Sequence, residues 1–545
     1  MLLMYFNKLI FKSIVLFLLL ITYMEELYMR DILEKYEQRK LNIIEILYFS
    51  DDWVTISSLS KKLRCAERTI KQDIFSLKEL VTADYLQTSR KGIRLFLPSH
   101  MSIEMIYRTI LKESTNFNLL ESLFHDETKT LEQMAELLYT SPTTLVRTIK
   151  KINLSLKDFS LQIQTKPCRL VGPESNIRSF YICYFRESYT HLEWPYPTID
   201  KKVFENFLIV AAKFIRTQLN FSDFERVKHW IAVSLIRTQK GHYVEIRENK
   251  LSKYIPDLTK FRLILKPLEN KMNISFQPQF IEQVFAVFLN NSYAFSYESL
   301  VEASKTDPET NTSLSLLSNL LESLSKQVGV PIPNKEHLLL DLYNLSKLVS
   351  RPNKQMRKVT HILFDQKDFF VRSLEEDIPD FIYLAKKKIN GYQKKMDLIF
   401  SEHSRNELIY TLIIHWDNLL IELHRQRKKV KLLVISTYDL EHAKMIRDII
   451  DIHYHDDVEA EIYLEPRLSL KQLKKLDYNV LISTTSFDPI PNKKIICIQN
   501  IPTEQNLKEI KSAIDEIRKV GAESWYSEEK DLEQIRQNDP VLEPI

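Results

Sequence analysis

The stretch that decides the fold is Thr55-Ile56-Ser57-Ser58-Leu59-Ser60-Lys61-Lys62-Leu63. It is repeated 75 residues later as Thr130-Leu131-Glu132-Gln133-Met134-Ala135-Glu136-Leu137-Leu138. The shared register continues without a gap as far as Pro98 in the first copy and Pro173 in the second. Agreement over so long a span indicates a duplicated structural unit.

Each copy predicts a helix, a tight turn, a second helix and a β-hairpin. Apolar residues at 56, 59 and 63 share one helix face, with a threonine ahead of them as an N-cap. Tight turns follow at Arg64-Cys65-Ala66 and Tyr139-Thr140-Ser141, and Ser141-Pro142 is a typical helix start. Residues 85–97 and 161–171 then alternate as strands do. The pattern predicts two winged helix-turn-helix units, over 29–98 and 99–173.

Positive charge is concentrated in these two units. The chain as a whole carries a net charge of +4, yet residues 61–94 hold nine Lys or Arg against four Asp or Glu. Residues 141–172 hold six against one. In a helix-turn-helix the second helix enters the major groove, and neighbouring residues and the wing reach phosphates. We therefore predict that the chain binds double-stranded DNA, although a pair of protein-interaction domains with solvated charges is the alternative.

The predicted DNA contacts lie on the second helix and the wing of each unit. They are Arg68, Thr69, Lys71, Gln72, Arg90 and Lys91 in the first unit, and Thr143, Thr144, Arg147, Lys150, Lys151, Lys166 and Arg169 in the second.

Composition argues against several other classes of protein. Only 6 glycines occur in 545 residues, whereas nucleotide-binding loops need several glycines near the phosphates. The four cysteines show no CxxC spacing and no zinc-like cluster with histidine. We expect a cytoplasmic protein with reduced thiols that is not an enzyme and needs no cofactor and no metal.

The first 28 residues form an apolar leader. Its unbroken run, Ile14 to Ile21, is shorter than the ~18–20 residues that span a bilayer, and no small-residue cleavage site follows. We expect translation to begin at Met24 or Met29, so that the apolar run of the leader 1–28 is not part of the native protein, and we expect no membrane partner.

The middle of the chain is predicted to be helical. A polar break at 304–311 is interpreted as a linker between two bundles, over 174–300 and 311–427. The helix around His229, with Arg237 and Gly241 after it, resembles the first histidine motif of the phosphotransferase-system regulation domain, abbreviated PRD.

The resemblance implies that His229 is phosphorylated by phosphocarrier proteins of sugar uptake. That chemistry requires an exposed imidazole that is neutral near cellular pH. A histidine with no such role is the alternative. The departures from the family pattern are that no histidine occurs between His242 and His337, and that His337, His403 and His415 have no convincing motif around them.

The C-terminal quarter alternates strands with helices, which predicts a small parallel-sheet α/β domain over 428–520, followed by a tail at 521–545. The predicted strands cover 430–436, 460–464, 478–483 and 494–499, with helices at 439–452 and from 504. The domain resembles the IIB component of sugar phosphotransferase systems, whose catalytic cysteine follows the first strand. Here that turn reads Ser436-Thr437-Tyr438-Asp439, without cysteine or glycine. A binding or dimerisation role is therefore expected.

The order of parts resembles the Mga and AtxA family of virulence regulators from low-GC Gram-positive bacteria, over about residues 30 to 520. The resemblance implies a mainly α, multidomain homodimer that activates transcription in response to carbohydrate status: two winged helix-turn-helix units, two PRD-like bundles and a IIB-like domain. A sugar-operon activator of the related phosphotransferase-regulated type is one alternative. A phosphoryl-transfer protein of the same system is another, which the missing cysteine disfavours.

Overall fold

The computed structural model describes residues 29–50, 52–80, 85–214, 220–246, 266, 269–270, 277–286, 293–350, 358–375 and 377–518. The predicted leader 1–28 and tail 521–545 lie outside these residues. No helix in these ranges is both long and apolar enough to cross a membrane.

Helices dominate the described part of the chain, as the hydrophobic periodicity predicts. The first half contains α1 (Lys35–Tyr48), α2 (Ile56–Leu63), α3 (Glu67–Leu80), β1 (Leu86–Ser89), β2 (Gly92–Leu95), α4 (Ile103–Glu113), α5 (Thr115–His125), α6 (Leu131–Leu137), α7 (Pro142–Leu156), β3 (Gln162–Thr165), β4 (Cys168–Val171), α8 (Glu174–Ser188), α9 (Lys201–Phe214) and α10 (Phe221–Gln239).

The second half begins with helices and ends with an α/β region. Its elements are α11 (Pro278–Val284), α12 (Tyr297–Ser304), α13 (Pro308–Val328), α14 (Lys335–Val349), α15 (Gln366–Glu375), α16 (Pro379–Lys395), α17 (Glu402–His415), α18 (Leu419–Arg425), β5 (Val430–Ile435), α19 (Leu440–Tyr454), β6 (Val458–Ile462), α20 (Leu470–Leu473), β7 (Val480–Ser483), β8 (Lys494–Cys497) and α21 (504–518).

The chain divides into two compact units. The first comprises the described residues up to Leu317 together with Leu339–Phe369 and Gly391–Leu408. The second comprises Ser318–Leu338, Phe370–Asn390 and the described residues from Ile409 onward. The limits 174–300 and 311–427 of the two bundles stay predictions.

One hydrophobic cluster of the first unit joins helices from both helix-turn-helix copies and from the region after them. It contains Ile70 of α3, Ile149 of α7, Tyr181 of α8 and Leu235 of α10, all nearly inaccessible to water. Burial of apolar surface is the main favourable term in folding. The two helix-turn-helix copies therefore share one core with the helices that follow them.

Long-range polar contacts hold residues 362–364 within the first unit. The carboxylate of Glu187 accepts hydrogen bonds from the backbone N–H of Ile362 at 2.6 Å and of Leu363 at 2.8 Å. Arg30 donates to the carbonyl of Leu363 at 2.9 Å and forms a buried ion pair with Glu45. The bond from Ile362 to Glu187 joins segments 175 positions apart in sequence, and the bond from Arg30 to Leu363 spans 333.

The second unit contains a four-stranded parallel sheet in the order β6-β5-β7-β8. One of its two hydrophobic clusters includes Val430 and Val434 of β5 together with Ile446 of α19. The other includes Leu433 of β5 and Leu481 of β7. Coverage of both faces by apolar groups is the usual condition of a parallel sheet, and the small parallel-sheet architecture agrees with the sequence.

Two predicted features of the second half are wrong in detail. β6 covers Val458–Ile462 instead of 460–464, because its pairing with β5 aligns Val458 with Val430. The linker predicted over 304–311 is instead a short turn, since α12 ends at Ser304 and α13 begins at Pro308. There the buried carboxylate of Asp307 accepts a hydrogen bond from the N–H of Thr310 and caps α13.

Candidate nucleic-acid interface and candidate phosphoacceptor

The first helix-turn-helix is set by local hydrogen bonds. The Thr55 hydroxyl accepts from the N–H of Ser58 and caps α2. Arg64 adopts the left-handed conformation with φ 51° and ends that helix. The Ser60 hydroxyl then donates to the carbonyl of Cys65 at 2.6 Å. These contacts confirm the predicted helix, turn and second helix.

The second helix, α3, presents one face to solvent. Arg68, Lys71, Gln72 and Phe75 are exposed, and we call these four residues the first recognition face. They share a face because positions three and four apart lie together on a helix. Within the described residues, the side chains of the three polar members make no hydrogen bond or ion pair. The predicted contact Thr69 is half-buried beside this face.

The second helix-turn-helix repeats the arrangement. Thr130 and Gln133 form a capping box at the start of α6, and Tyr139 takes the left-handed conformation with φ 52° that Arg64 has in the first copy. The Ser141 hydroxyl accepts from the N–H of Thr144 and caps α7, while Pro142 occupies its first turn. The predicted N-cap and turn are confirmed.

Thr143, Arg147 and Lys150 are exposed along α7 and form the second recognition face. No hydrogen bond or ion pair involves their side chains within the part of the chain that is described. The Thr144 hydroxyl is exposed but contacts the Ser141 hydroxyl at 2.8 Å.

Lys151 differs from these three residues because its side chain has a partner. Its ammonium group donates to the carboxylate of Glu34 at 2.8 Å, and the side chain is only 35% exposed. Lys151 lies four positions after Arg147 on α7, and its partner Glu34 is the N-cap residue of α1. The DNA contact of Lys151 stays a prediction, and in this structure its ammonium group is paired with Glu34.

The two predicted wings are antiparallel hairpins, β1–β2 and β3–β4. Arg90 and Lys91 are exposed at the tip of the first wing, and Lys166 is exposed at the tip of the second. Arg169 is half-buried on β4, where its Nε donates to the side-chain oxygen of Gln164 at 3.2 Å. Three of the four wing cations are thus oriented so that they can reach phosphates.

His229 is buried in α10, which overturns the expectation of an exposed imidazole. The residue is 6% exposed, and its Nδ1 lies 2.8 Å from the Tyr196 hydroxyl. Burial lowers the pKa of His229 to about 3, so the ring is neutral at cellular pH. The protonation state suits a nucleophile, whereas the burial blocks access to the ring.

Two cations on the same helix as His229 already have carboxylate partners. Lys228 is 1% exposed and donates to Glu225 at 2.6 Å. Arg237 is fully buried and forms ion pairs with Glu127, ahead of α6, and with Glu174 of α8. The charge of Arg237 therefore fastens α10 to the second helix-turn-helix unit and to α8.

A polar centre that the sequence pattern did not reveal lies around His403. Its Nδ1 is 2.6 Å from Asp365 and its Nε2 is 3.5 Å from Glu407. Burial alone would lower the pKa of His403, but the two carboxylates raise it to about 10. His361 lies 3.7 Å from the same Asp365 oxygen, and burial lowers its pKa to about 4.

The signal that could have found this centre is the i,i+4 spacing of His361 with Asp365 and of His403 with Glu407. Ligand atoms of His361, Asp365 and His403 lie within 4.8 Å of one another, a spacing at which three groups could also hold a metal ion. The short hydrogen bond between His403 and Asp365 accounts for the arrangement without one.

In the turn after β5, side-chain hydroxyl groups accept hydrogen bonds from the backbone. The N–H of Thr437 donates to the Thr484 hydroxyl at 2.9 Å, and the N–H of Tyr438 donates to the Ser436 hydroxyl at 3.1 Å. Here β5 and β7 are neighbours at the point where the strand order reverses, which is where parallel sheets usually bind ligands. Because its N–H groups are occupied, this turn does not form a phosphate cradle.

Comparison with known families agrees with this architecture. Residues 34–93 match the M protein trans-acting positive regulator (MGA) HTH domain, and residues 99–185 match the Mga helix-turn-helix domain. Residues 202–419 match the M protein trans-acting positive regulator (MGA) PRD domain.

Three relatives are similar over nearly the whole of their own length. A putative trans-acting regulator of Streptococcus pneumoniae serotype 4 is 28% identical over 480 residues, 87% of this chain and 97% of the relative. The capsule synthesis positive regulator AcpB of Bacillus anthracis is 25% identical over 506 residues, 89% and 99% respectively. The anthrax toxin expression trans-acting positive regulator of the same organism is 21% identical over 497 residues, 88% and 99%.

Two helix-turn-helix units with basic, solvent-facing second helices, followed by a PRD region, define a DNA-binding transcription regulator. The chain belongs to the Mga family of trans-acting positive regulators. The resemblance noted in the sequence is confirmed.

Proposed function

We propose that the chain activates transcription in the cytoplasm as a homodimer bound to double-stranded DNA, and that carbohydrate supply controls this activity. The observation that carries the proposal is the pair of recognition faces, whose cations have no partner within the described residues. Relatives named as positive regulators of capsule synthesis and of toxin expression support activation of virulence-type genes.

The test is binding of the full-length chain to labelled duplex DNA at increasing salt. We expect the affinity to fall steeply between ~50 and ~200 mM salt, because phosphate contacts release counterions. The double variant Lys71→Glu, Arg147→Glu should abolish binding. The control makes the same charge changes at Lys326 and Lys508, exposed residues outside the helix-turn-helix units. Equal loss in both variants, or no binding at low salt, would contradict the proposal.

Control by phosphate is proposed to act at His229. A phosphoryl group adds about −1.5 to −2 charges at neutral pH, and this charge cannot be accommodated without opening the buried site. Such opening would break the contacts of Lys228 and Arg237 on the same helix and so loosen the second helix-turn-helix unit. Phosphorylation is therefore expected to alter DNA binding.

The experiment incubates the pure chain with phosphocarrier components and labelled phosphate. If the His229→Ala variant takes up no acid-labile label and the His403→Ala variant does, His229 is the phosphoacceptor. The reverse pattern would assign this role to His403. Reporter expression with and without glucose tests the consequence, since His229→Ala should uncouple expression from sugar. The absence of label on both histidines rejects phosphate control.

Two alternatives make different predictions. A sugar-operon activator of the phosphotransferase-regulated type would act only on genes beside its own, which a transcriptome of a deletion strain distinguishes. A phosphoryl-transfer protein of that system would pass label to sugar. The occupied N–H groups of Thr437 and Tyr438 oppose this second alternative.

A further inference from the structure

Phe75 is a large apolar side chain on an otherwise polar, cationic face. It is 67% exposed on α3, four residues after Lys71 and three after Gln72. With a rise of about 1.5 Å per residue, it lies about 10.5 Å beyond Arg68 along the helix. That distance fits within the ~12 Å width of the major groove.

The fold does not account for this ring. The opposite side of α3 buries Ile70, Ile74 and Leu77 in the hydrophobic cluster, and Phe75 is absent from that cluster. Phe49 is also exposed, but its ring contacts that of Phe369, with the two ring centroids 5.9 Å apart. Within the described residues, Phe75 makes no ring contact.

The second helix-turn-helix unit has a different residue at the position that corresponds to Phe75. The 75-residue shift that aligns the two units places Phe75 opposite Lys150 on α7. The second recognition face therefore carries only Thr143 and two cations, whereas the first combines cations, an amide and a ring. The two units consequently offer different chemistry to the DNA.

We propose that Phe75 contacts the C5-methyl group of a thymine in the major groove, so that the first unit selects thymine at one position of its site. This inference rests on the proposed function. The C5-methyl of thymine is the apolar group that base edges display in the major groove. The flanking Arg68 and Lys71 complement phosphates, which favours DNA over a protein partner at this face.

The test uses DNA in which single thymines are replaced by deoxyuridine, which lacks only the methyl group. A preferred duplex is first selected from a random pool with the full-length chain. Each thymine is then replaced in turn and the dissociation constant is measured. We expect one position to weaken wild-type binding about fourfold, the fold-change that corresponds to about 0.8 kcal/mol for one buried carbon.

Variants of Phe75 test whether its ring causes the preference for thymine. Phe75→Ala should bind thymine and deoxyuridine duplexes equally at that position, and Phe75→Leu should retain part of the preference. Phe96→Ala is the matched control, because Phe96 is also an exposed ring, 52% accessible, but lies beyond the first wing. It should keep the full preference. Thermal unfolding checks that each variant is folded.

The outcomes separate this inference from the proposed function. If no salt-dependent DNA binding occurs, the proposed function fails. If binding occurs but every deoxyuridine substitution is neutral, or Phe75→Ala keeps the thymine preference, only this inference is overturned. A selected duplex without any enriched thymine overturns it as well.

Discussion

Arg147 and Lys151 lie four positions apart on the same helix, but only Lys151 has a carboxylate partner within the described residues. Arg147 is exposed and makes no ion pair within the described residues, whereas Lys151 donates to Glu34. We expect Arg147→Ala to weaken specific binding by about 1–3 kcal/mol if it reads a base edge. Lys151→Ala should change binding by less than about 0.5 kcal/mol. Fluorescence anisotropy with one duplex measures both.

Lys166 is the predicted phosphate contact with which the predicted base contact of Arg147 can be compared. It is exposed at the tip of the second wing, so Lys166→Ala should weaken binding to all sequences alike and reduce the salt slope by about one charge. If Arg147→Ala and Lys166→Ala had the same effect on specific and non-specific duplexes, Arg147 would be a phosphate contact.

His229 makes the fold sensitive to acid. Its pKa is about 3 in the folded chain and about 6.5 when unfolded, so the unfolded state takes up a proton as pH falls below 6.5. Stability is therefore lost on acidification, by about 2 kcal/mol between pH 7 and pH 5. His229→Gln, which can still form a hydrogen bond with Tyr196, should remove this part of the loss in denaturant titrations. An unchanged pH slope would contradict the burial of His229.

His403 should act in the opposite direction. Its folded pKa of about 10 means that its stabilising contribution is complete below pH 6.5 and is lost as pH rises towards 10. His403→Gln should flatten the alkaline side of the same stability profile. It should also alter the acid side, because His403 holds the pKa of Asp365 and of Glu407 low. His229→Gln, which is expected to change the acid side alone, is the control for the alkaline effect.

At the scale of elements, Gly92 fixes the first wing. It has φ +133°, and a Cβ there would meet the carbonyl of Val54, whose N–H and oxygen pair with Ile93 of β2. Gly92→Ala should destabilise the first unit by about 1–3 kcal/mol, the usual cost of a strained backbone position. Gly391→Ala, in α16 with open space around it, should stabilise by about 0.5–1 kcal/mol. Thermal unfolding compares the two, and equal effects would refute the role of Gly92.

The sequence predicts best the elements whose ends are fixed by hydrogen bonds between residues that are close in sequence. Thr55, Thr130 and the pair Ser141-Pro142 mark helix starts through bonds to residues three positions away, which a pattern can display. β6 was misplaced by two residues because its register depends on β5, which precedes it by a whole helix. The burial of His229 was missed for a similar reason, since Tyr196 comes from another segment.

At the scale of the molecule, the contacts that organise the first unit could not be predicted from the sequence. Glu187 and Arg30 reach residues 362 and 363, and Arg237 reaches Glu127 and Glu174. No periodicity or motif connects such distant positions. The order of parts was nevertheless predictable, because composition, charge and strand alternation change from one region to the next.

The C-terminal sheet is the candidate for dimer formation. Its two described hydrophobic clusters begin at Val430, so both lie within the part that a truncation before Lys428 removes. We expect truncation before Lys428 to convert a dimer into a monomer and to reduce promoter activation. Light scattering measures the mass, and circular dichroism verifies that the remainder is helical. An unchanged mass would assign the dimer contact elsewhere.

The two helix-turn-helix units share one hydrophobic core, which contains Ile70 and Ile149, and this has a consequence for the geometry of target promoters. It implies that the angular phase between the two DNA contacts around the duplex axis is fixed by the protein. Each base pair inserted between two subsites rotates one of them by roughly 34–36°. If a flexible tether joined the two units, affinity would return once a complete helical turn had been inserted between the subsites. Two units that share one rigid core cannot do this, because their DNA contacts cannot move ~34 Å apart. Insertions of five and of ten base pairs should therefore be equally harmful, which a promoter series would reveal.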